Sequence, residues 1–515
     1  MNDTTSEQSA SILEIDVVVV GYGFAGGAAA IAAADCGVSV LLVEKMPQPG
    51  GISITAGGGI RATSNADAAF EYLKATNDGR TDDACIRMIA DGMAATPAMI
   101  RELAAINGAE VEVRDFAGNY PYPGYDSLQM IDITSIPDFD PAVAYPHAKG
   151  LRGGPNVFKV VEDNVNARAN ISVWLNTPAK RLLRGPDGEV TGVVVRYYDH
   201  DVQVVAKGGV ILAAGGFENA PDIQKQFWQL QPVLSAAAPG NTGDGLRMAM
   251  SAGADLWHMW HFHGSYGFRH PSPDLPNVAI RMKRMPDWRP DGDAGPGDQG
   301  RVAPMCWIVV DRDGQRYMNE YPPYVQDTGH RMMDAYDPLE QRFPRAPSWV
   351  VFDDDGRQMY PIGQPVFSDP STIYEWSPDN LKEVENGMLL KGESLGELAE
   401  KMGISGNVLA QTVADWNAVV EEGEDPLGRP KSALVPIAKP PFYAGQVWPV
   451  ISNTQGGPRH DERQRVLDPF GETIPGLYVA GELGSIWGSL YLVGGNLAEC
   501  FITGEIAGRE AATER

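Results

Sequence analysis

Short apolar runs alternate with glycine clusters along this chain. The first run, Ile15-Asp16-Val17-Val18-Val19-Val20, suits a parallel strand buried on both faces. Gly21-Tyr22-Gly23-Phe24-Ala25-Gly26 follow, and an alanine-rich stretch to Ala34 predicts a helix. A second apolar strand, Val38 to Val43, ends at Glu44. Residues 15–34 have the length of a membrane span, but four glycines and Asp16 interrupt them and no basic residues flank them. No integral membrane segment is therefore expected. Residues 1–14 are polar and acidic; they are expected to fray and do not read as a signal peptide.

A strand, a G-x-G-x-x-G turn, a helix and an acid at the end of the next strand predict a bound dinucleotide. Gly21 allows the tight turn, Gly23 lets a pyrophosphate approach the backbone, and Gly26 lets helix pack on strand. The helix N-terminus faces the phosphates. Glu44 stands where a carboxylate can accept a hydrogen bond from a ribose hydroxyl.

The 515 residues allow two or three domains. A net charge of −26 repels phosphates, so no nucleic-acid partner is expected. The four cysteines, Cys36, Cys85, Cys306 and Cys500, form no C-x-x-C; this argues against a zinc site or a disulfide framework and suits a cytoplasmic protein. The cluster Trp257-His258-Met259-Trp260-His261-Phe262-His263 invites a metal reading, since His261 and His263 would share a face of a strand. No acid or cysteine completes a ligand set there, so no metal is expected. Trp257, Trp260 and Trp307 read equally well as core or as pocket wall.

The segment after Glu44 is glycine-rich: Gly50-Gly51 and Gly57-Gly58-Gly59 flank Ser53, so backbone amides can lie against a large flat ligand. Further on, residues 209–217 form an apolar strand ending in Gly215-Gly216, and residues 241–254 form a turn capping a helix. Near the C-terminus come Ile474-Pro475-Gly476-Leu477-Tyr478-Val479-Ala480-Gly481-Glu482 and Gly494-Gly495-Asn496-Leu497. These five motifs, in this order, resemble the flavoproteins related to the fumarate reductase and succinate dehydrogenase flavoprotein subunits.

The resemblance implies an α/β protein: a Rossmann-like FAD-binding domain made of two chain segments, with an inserted α+β capping (catalytic) domain. The expected boundaries are 12–255 and 438–515 for the FAD-binding segments and 256–437 for the cap. The first segment would carry helices between about 67 and 107 and a small β region around 171–206; the cap would carry the helical stretch 394–422. The FAD-binding residues implied are Gly21, Gly23, Phe24, Ala25, Gly26, Glu44 and Lys45, then Gly50, Gly51, Ser53, Gly57, Gly58 and Gly59. To these are added Ala214, Gly215, Asp244, Gly481, Glu482, Asn496 and Leu497. Succinate-oxidising relatives bind flavin covalently through a histidine of the first glycine-rich loop. Residues 50–58 contain none, so FAD is expected to be non-covalent.

Fumarate-type reductases hold a dicarboxylate with arginines and histidines. Their proton-delivering arginine lies four residues after the Glu of R-F-x-N-E; here Arg316-Tyr317-Met318-Asn319-Glu320 leads to Tyr324. Tyr491 precedes the C-terminal Gly-Gly-Asn where an arginine is expected, and Asn453 replaces the histidine before T-x-G-G. Hydroxyls do not replace a bidentate cationic clamp, so a neutral carbonyl substrate fits better. The resemblance is then closest to the 3-ketosteroid dehydrogenases, which use a tyrosine at the position of Tyr324 and a Y-x-x-x-G matched by Tyr491 and Gly495. It implies that Tyr324 takes the α-proton while Tyr491 and the Gly495 amide polarise the ketone. Val493 departs from the serine of the 4-dehydrogenases, and Leu492-Val493 from the Pro-Gly of the 1-dehydrogenases.

The expected activity is FAD-dependent desaturation of the α,β carbon–carbon bond of a cyclic ketone, with a 3-ketosteroid as the leading small-molecule substrate. Alternatives are a smaller cyclohexanone-type substrate, the reverse reduction of an enone or acrylate, or an electron-transfer flavoprotein subunit. A base with a reference pKa of about 10 needs assistance; Tyr120, Tyr122, Tyr125 and Tyr145 are the candidates. Arg269 and Arg281 are left to bind a single carboxylate. Only one dinucleotide fingerprint is visible, so the electron acceptor is open, as is the oligomeric state.

Overall fold

The computed structural model describes residues 11–148, 153–283, 285, 304–364 and 373–514. The predicted unit forms as strand β1 (Ser11–Val20), helix α1 (Phe24–Asp35) and strand β2 (Val40–Val43). β2 pairs in parallel with β3 (Ile171–Trp174). On its other side β1 pairs with β4 (His200–Leu212), which pairs with β5 (Thr473–Val479), giving the parallel order β5-β4-β1-β2-β3. Val17, Val18, Val19 and Val20 are buried, as a central strand covered on both faces requires.

α1 is apolar all round, and such a helix must be covered on every side. The sheet covers one side and α2 (Gly495–Thr513) another. The two helices approach closely because α2 carries glycines at the contact: a methyl group at Gly508 would lie 2.3 Å from the Ala29 carbonyl.

Two expectations need correction. Residues 11–14 do not fray; they extend β1, pairing with residues 202–205 of β4. The strand expected at 209–217 is instead the second half of β4, which ends at Leu212. Its first half pairs antiparallel with Val190–Tyr197, and its second half runs between β1 and β5. The change of partner occurs around Gly209, whose φ of 125° lies outside the range an L-residue tolerates. Two elements were hidden in one strand because the sequence shows only glycines at the join.

A second, largely antiparallel sheet has the order Ile308–Val310, Ser348–Asp353, Phe442–Ile451, Tyr266–Arg269, Ala279–Met282, Gly363–Gln364. Its middle strand, Phe442–Ile451, lies beyond the boundary expected at 437/438. The chain thus returns to the parallel sheet only with Arg465–Leu467, which pairs beside β5. The expected helices between 67 and 107 are Ala66–Asn77 and Asp83–Ala104, and the stretch 394–422 is two helices, Leu395–Met402 and Gly406–Glu422. Arg316 and Glu320 of the motif are buried in an ion-pair cluster with Asp425 and Arg429. They anchor the segment leading to Tyr324. Among the described residues no helix is long and apolar enough to cross a membrane.

Candidate active site

A cavity of about 960 Å³ lies between the ends of the parallel strands and the second sheet. Its wall at one end is the turn from Gly21 to Ala25, so the N-terminus of α1 opens into it. Gly21 has φ 104° and donates its N–H to the Val43 carbonyl at 2.8 Å, closing the turn. Ser53 Oγ accepts from the Phe24 amide at 3.2 Å. Glu44 is buried on the wall, accepting from the Tyr22 and Met46 amides, each at 2.9 Å. An ionised carboxylate has about four acceptor positions, so two remain for ribose hydroxyls.

Lys45 and Asp244, both expected to bind FAD, form an ion pair with each other at 2.6 Å on the cavity wall. Gly51, Gly57, Gly58, Gly59, Ala214, Gly215, Glu482, Asn496 and Leu497 also line it. Asn241 Nδ2 lies between Glu218 and Glu482, at 3.2 and 3.4 Å. Burial raises both carboxyls above the usual range, Glu482 the further because Glu218 stands beside it.

Gly26, Gly50 and Gly481 are not on the wall; they shape it from behind. A methyl group at Gly26 would fall 1.8 Å from the Gly21 carbonyl oxygen. The Gly50 amide donates to the Tyr22 carbonyl, and the Gly481 amide to Thr503 Oγ1.

The residues fit FAD. The volume suits a ligand much larger than a metabolite of a few atoms. A helix N-terminus and close-approach glycines await a phosphate. Asn496 Oδ1 is buried on this wall with no hydrogen-bond partner, as an atom facing a ligand would be.

The opposite end carries Tyr324 and Tyr491. Their rings stack with centroids 6.3 Å apart, and the His263 ring packs on Tyr491 at 4.5 Å. Tyr324 caps the short helix Val325–Thr328, and His263 sits on the two-residue strand Phe262–His263, which pairs with Asn453–Thr454. His263 Nδ1 donates to Asn453 Oδ1 at 3.0 Å, leaving Nε2 to accept from the Tyr324 hydroxyl at 3.1 Å. Burial lowers His263 to about 3, so it is neutral. Burial pushes the Tyr491 hydroxyl up, which keeps it a proton-bearing donor.

Asp327 lies behind the two tyrosines, fully buried. It accepts from Tyr120 Oη at 2.7 Å, the Tyr491 amide at 2.9 Å, His261 Nε2 at 3.1 Å and Arg331 Nη2 at 3.3 Å. Burial alone would raise its pKa; the His261 hydrogen bond and the Arg331 charge hold it well below the usual carboxylate range. His263 belongs to the histidine cluster of residues 257–263, which the resemblance places at the cap or the substrate cleft, and it does line the cavity; Asp327 was not singled out from the sequence.

Gly495 requires correction. Its amide donates to the Leu492 carbonyl at 2.7 Å, closing the turn before α2, so it does not face the cavity. The amide nearest Tyr491 Oη is that of Asn496, at 3.5 Å. The open question among four tyrosines is also narrowed. Tyr145 donates to Glu162, Tyr122 is exposed, and the Tyr120 hydroxyl is committed to Asp327. Trp257 is buried away from the cavity, Trp307 is buried on the wall of a small pocket that shares Arg281 and Ser452 with the cavity, and Trp260 lies under Arg80 and Arg331 on the surface. Of the two arginines expected to be available, Arg269 stacks on Trp448, whereas Arg281 lines the cavity and donates to Ser452 Oγ.

A family model described as an FAD binding domain matches residues 16–497. The chain is 27% identical to a fumarate reductase (cytochrome) of Shewanella frigidimarina, over 97% of this chain and 77% of that protein. It is also 27% identical to a 4-oxocyclohex-2-ene-1-carboxylate 5-dehydrogenase of Sinomonas cyclohexanicum, over 96% of this chain and 93% of that one. The crystal structure of the 3-ketosteroid delta1-dehydrogenase of Sterolibacterium denitrificans, in complex with 1,4-androstadiene-3,17-dione, superimposes with a TM-score of 0.78. That likeness is at 24% identity and covers 98% of this chain and 100% of that one.

Proposed function

Since the chain belongs to the FAD binding domain family and is an FAD-dependent oxidoreductase, we propose that it desaturates the α,β carbon–carbon bond of a cyclic ketone. The carrying observation is the pair Tyr324 and Tyr491, stacked on the wall of the large cavity where fumarate-type enzymes place cations. Tyr324 takes the α-proton. Tyr491, a donor kept protonated by burial, hydrogen-bonds the ketone oxygen as negative charge develops there. Bound FAD supplies the hydride acceptor for the β-carbon. The protein's own share is to orient the ring, stabilise the enolate oxygen and accept the proton. The test is anaerobic mixing of the holoenzyme with a panel of cyclic ketones while the visible flavin band is followed. Bleaching by none of them overturns the reading.

The tyrosine pattern makes a 3-ketosteroid the leading substrate. A second reading, a cyclic ketone bearing a carboxylate, is favoured by Arg281 on the cavity wall, close to Ser452 and Asn453. The similarity to the Sinomonas keto-acid dehydrogenase supports it. The panel should therefore include both; faster bleaching by the acid, lost in Arg281→Met, selects the second reading.

The body containing β1–β5 is read as the FAD-binding domain and the second sheet as the cap, whose last strand ends at Ile451, with the return to the parallel sheet at Arg465–Leu467. The four unpaired cysteines support placing the protein in a reducing cytoplasm.

Two results are expected. Acid precipitation should release the flavin into the supernatant, because the loop 50–58 carries no histidine to bond it; yellow colour left in the pellet would mean a covalent link elsewhere. Fumarate and succinate should be turned over at under about 1% of the rate of the best ketone, a loss of roughly 3 kcal/mol, the scale of a missing charged partner. Comparable rates would remove the argument from Tyr324, Tyr491 and Asn453.

A further inference from the structure

A phenol is a poor final resting place for a carbon acid's proton: near neutral pH a tyrosine already carries its own. The hydroxyl of Tyr324 must hand that proton on as it receives another. The Tyr324 hydroxyl donates to His263 Nε2, 3.1 Å away. We propose that His263 is the second station for the α-proton, with Tyr324 and His263 acting as one relay. This rests on the ketone-desaturation reading above.

The geometry supplies what a relay needs. Asn453 Oδ1 accepts from Nδ1 and so fixes the tautomer in which Nε2 is basic. The lowered pKa of His263 keeps it neutral and accepting through the physiological range. The charged and titratable groups around it are Asp327, Arg281, His261, Tyr324 and Tyr491. Arg281 and His261 oppose a positive imidazole, and the Asp327 carboxylate favours it. The imidazolium is therefore a transient, offset by Asp327. Tyr120, whose ring lies edge-on to Tyr324, cannot take this role, because its hydroxyl donates to Asp327.

The step balances. The α-carbon–hydrogen bond breaks and its electron pair stays on the substrate as the enolate, whose oxygen is held by Tyr491. A new O–H forms at Tyr324 Oη as the old one breaks, and an N–H forms at His263 Nε2. In the reverse direction the same pair delivers a proton to the α-carbon.

His263→Gln tests it, since glutamine can accept the tyrosine's hydrogen bond but cannot take its proton. With holoenzyme and a ketone that bleaches the parent, the single-turnover rate should fall about 10²-fold. The α-deuterium isotope effect should grow, while ketone affinity and flavin content hold. The double variant Tyr324→Phe/His263→Gln should be no slower than Tyr324→Phe alone, as expected of residues that act as a unit. A His263→Gln rate within a few-fold of parental, with Tyr324→Phe slow, overturns the relay and leaves the ketone reading standing. Additive losses in the double variant overturn it too. If the parent binds ketones but bleaches with none, the ketone reading fails and the relay with it. Should His263→Gln not retain FAD, Asn453→Leu makes the same test by releasing the tautomer: about a tenfold loss is expected, and an unchanged rate overturns the relay.

Discussion

Replacing Tyr324 by phenylalanine is expected to slow ketone turnover by about 10³- to 10⁴-fold, the upper part of the range for a lost general base. The upper part applies because the change removes the proposed proton acceptor and also cuts its connection to His263. The ring remains, and with it the edge contact to Tyr120 and the stacking on Tyr491. The backbone that caps Val325–Thr328 is unaffected, since the Tyr324 carbonyl, not its side chain, accepts from the Asp327 and Thr328 amides. The cost to stability is one unsatisfied buried acceptor, His263 Nε2, about 1–3 kcal/mol. FAD content and ketone affinity should therefore match the parent. Anaerobic stopped-flow bleaching gives the rate, and perturbation of the oxidised flavin spectrum gives the affinity. A parental bleaching rate would remove Tyr324 from the chemistry. Tyr491→Phe should lose less, about 10²–10³-fold, because on the proposed mechanism the proton still has its acceptor and only a donor to the enolate oxygen is gone.

Local rules made the nucleotide half of this site readable. A strand, a glycine turn and a terminal acid each have a short-range signature, and β1, α1, β2 and Glu44 fall where that signature puts them. The two tyrosines were legible only by their distance from motifs, yet the fold does bring them together. What surrounds them was not legible. His263 meets Asn453 through a two-residue bridge between distant strands, and so short a pairing leaves no periodicity in the sequence. Asp327 lies in a one-turn helix and reads as an ordinary surface acid; only the fold reveals its burial under four donors, Arg331 one turn on and Tyr120, His261 and Tyr491 from three distant segments. Gly495 misled for the opposite reason. Its spacing from Tyr491 is right, but the turn from Leu492 uses its amide.

Gly26→Ala should yield a protein that purifies without its yellow cofactor. The added methyl would lie 1.8 Å from the Gly21 carbonyl oxygen, well inside contact distance, and neither partner can yield cheaply. Gly26 belongs to α1, which the sheet and α2 both fix, and Gly21 is held to Val43 in the turn that opens onto the cavity. Relief must come from moving the turn, which displaces the amides meant for the pyrophosphate. Overpacking of this kind costs about 3 kcal/mol, equivalent to roughly 10²-fold in affinity for FAD. The effect on binding can be separated from general damage by Gly57→Ala. A methyl there meets no protein atom within 4 Å, and the residue lines the cavity. Gly57→Ala should unfold at the parental temperature without cofactor and yet bind FAD more weakly, because the methyl enters space reserved for the ligand. Titration of both apoproteins with FAD, alongside thermal unfolding, measures the two quantities. Parental FAD affinity in Gly26→Ala would show that the turn is not the cradle. Parental affinity in Gly57→Ala would place the flavin away from that glycine-rich wall.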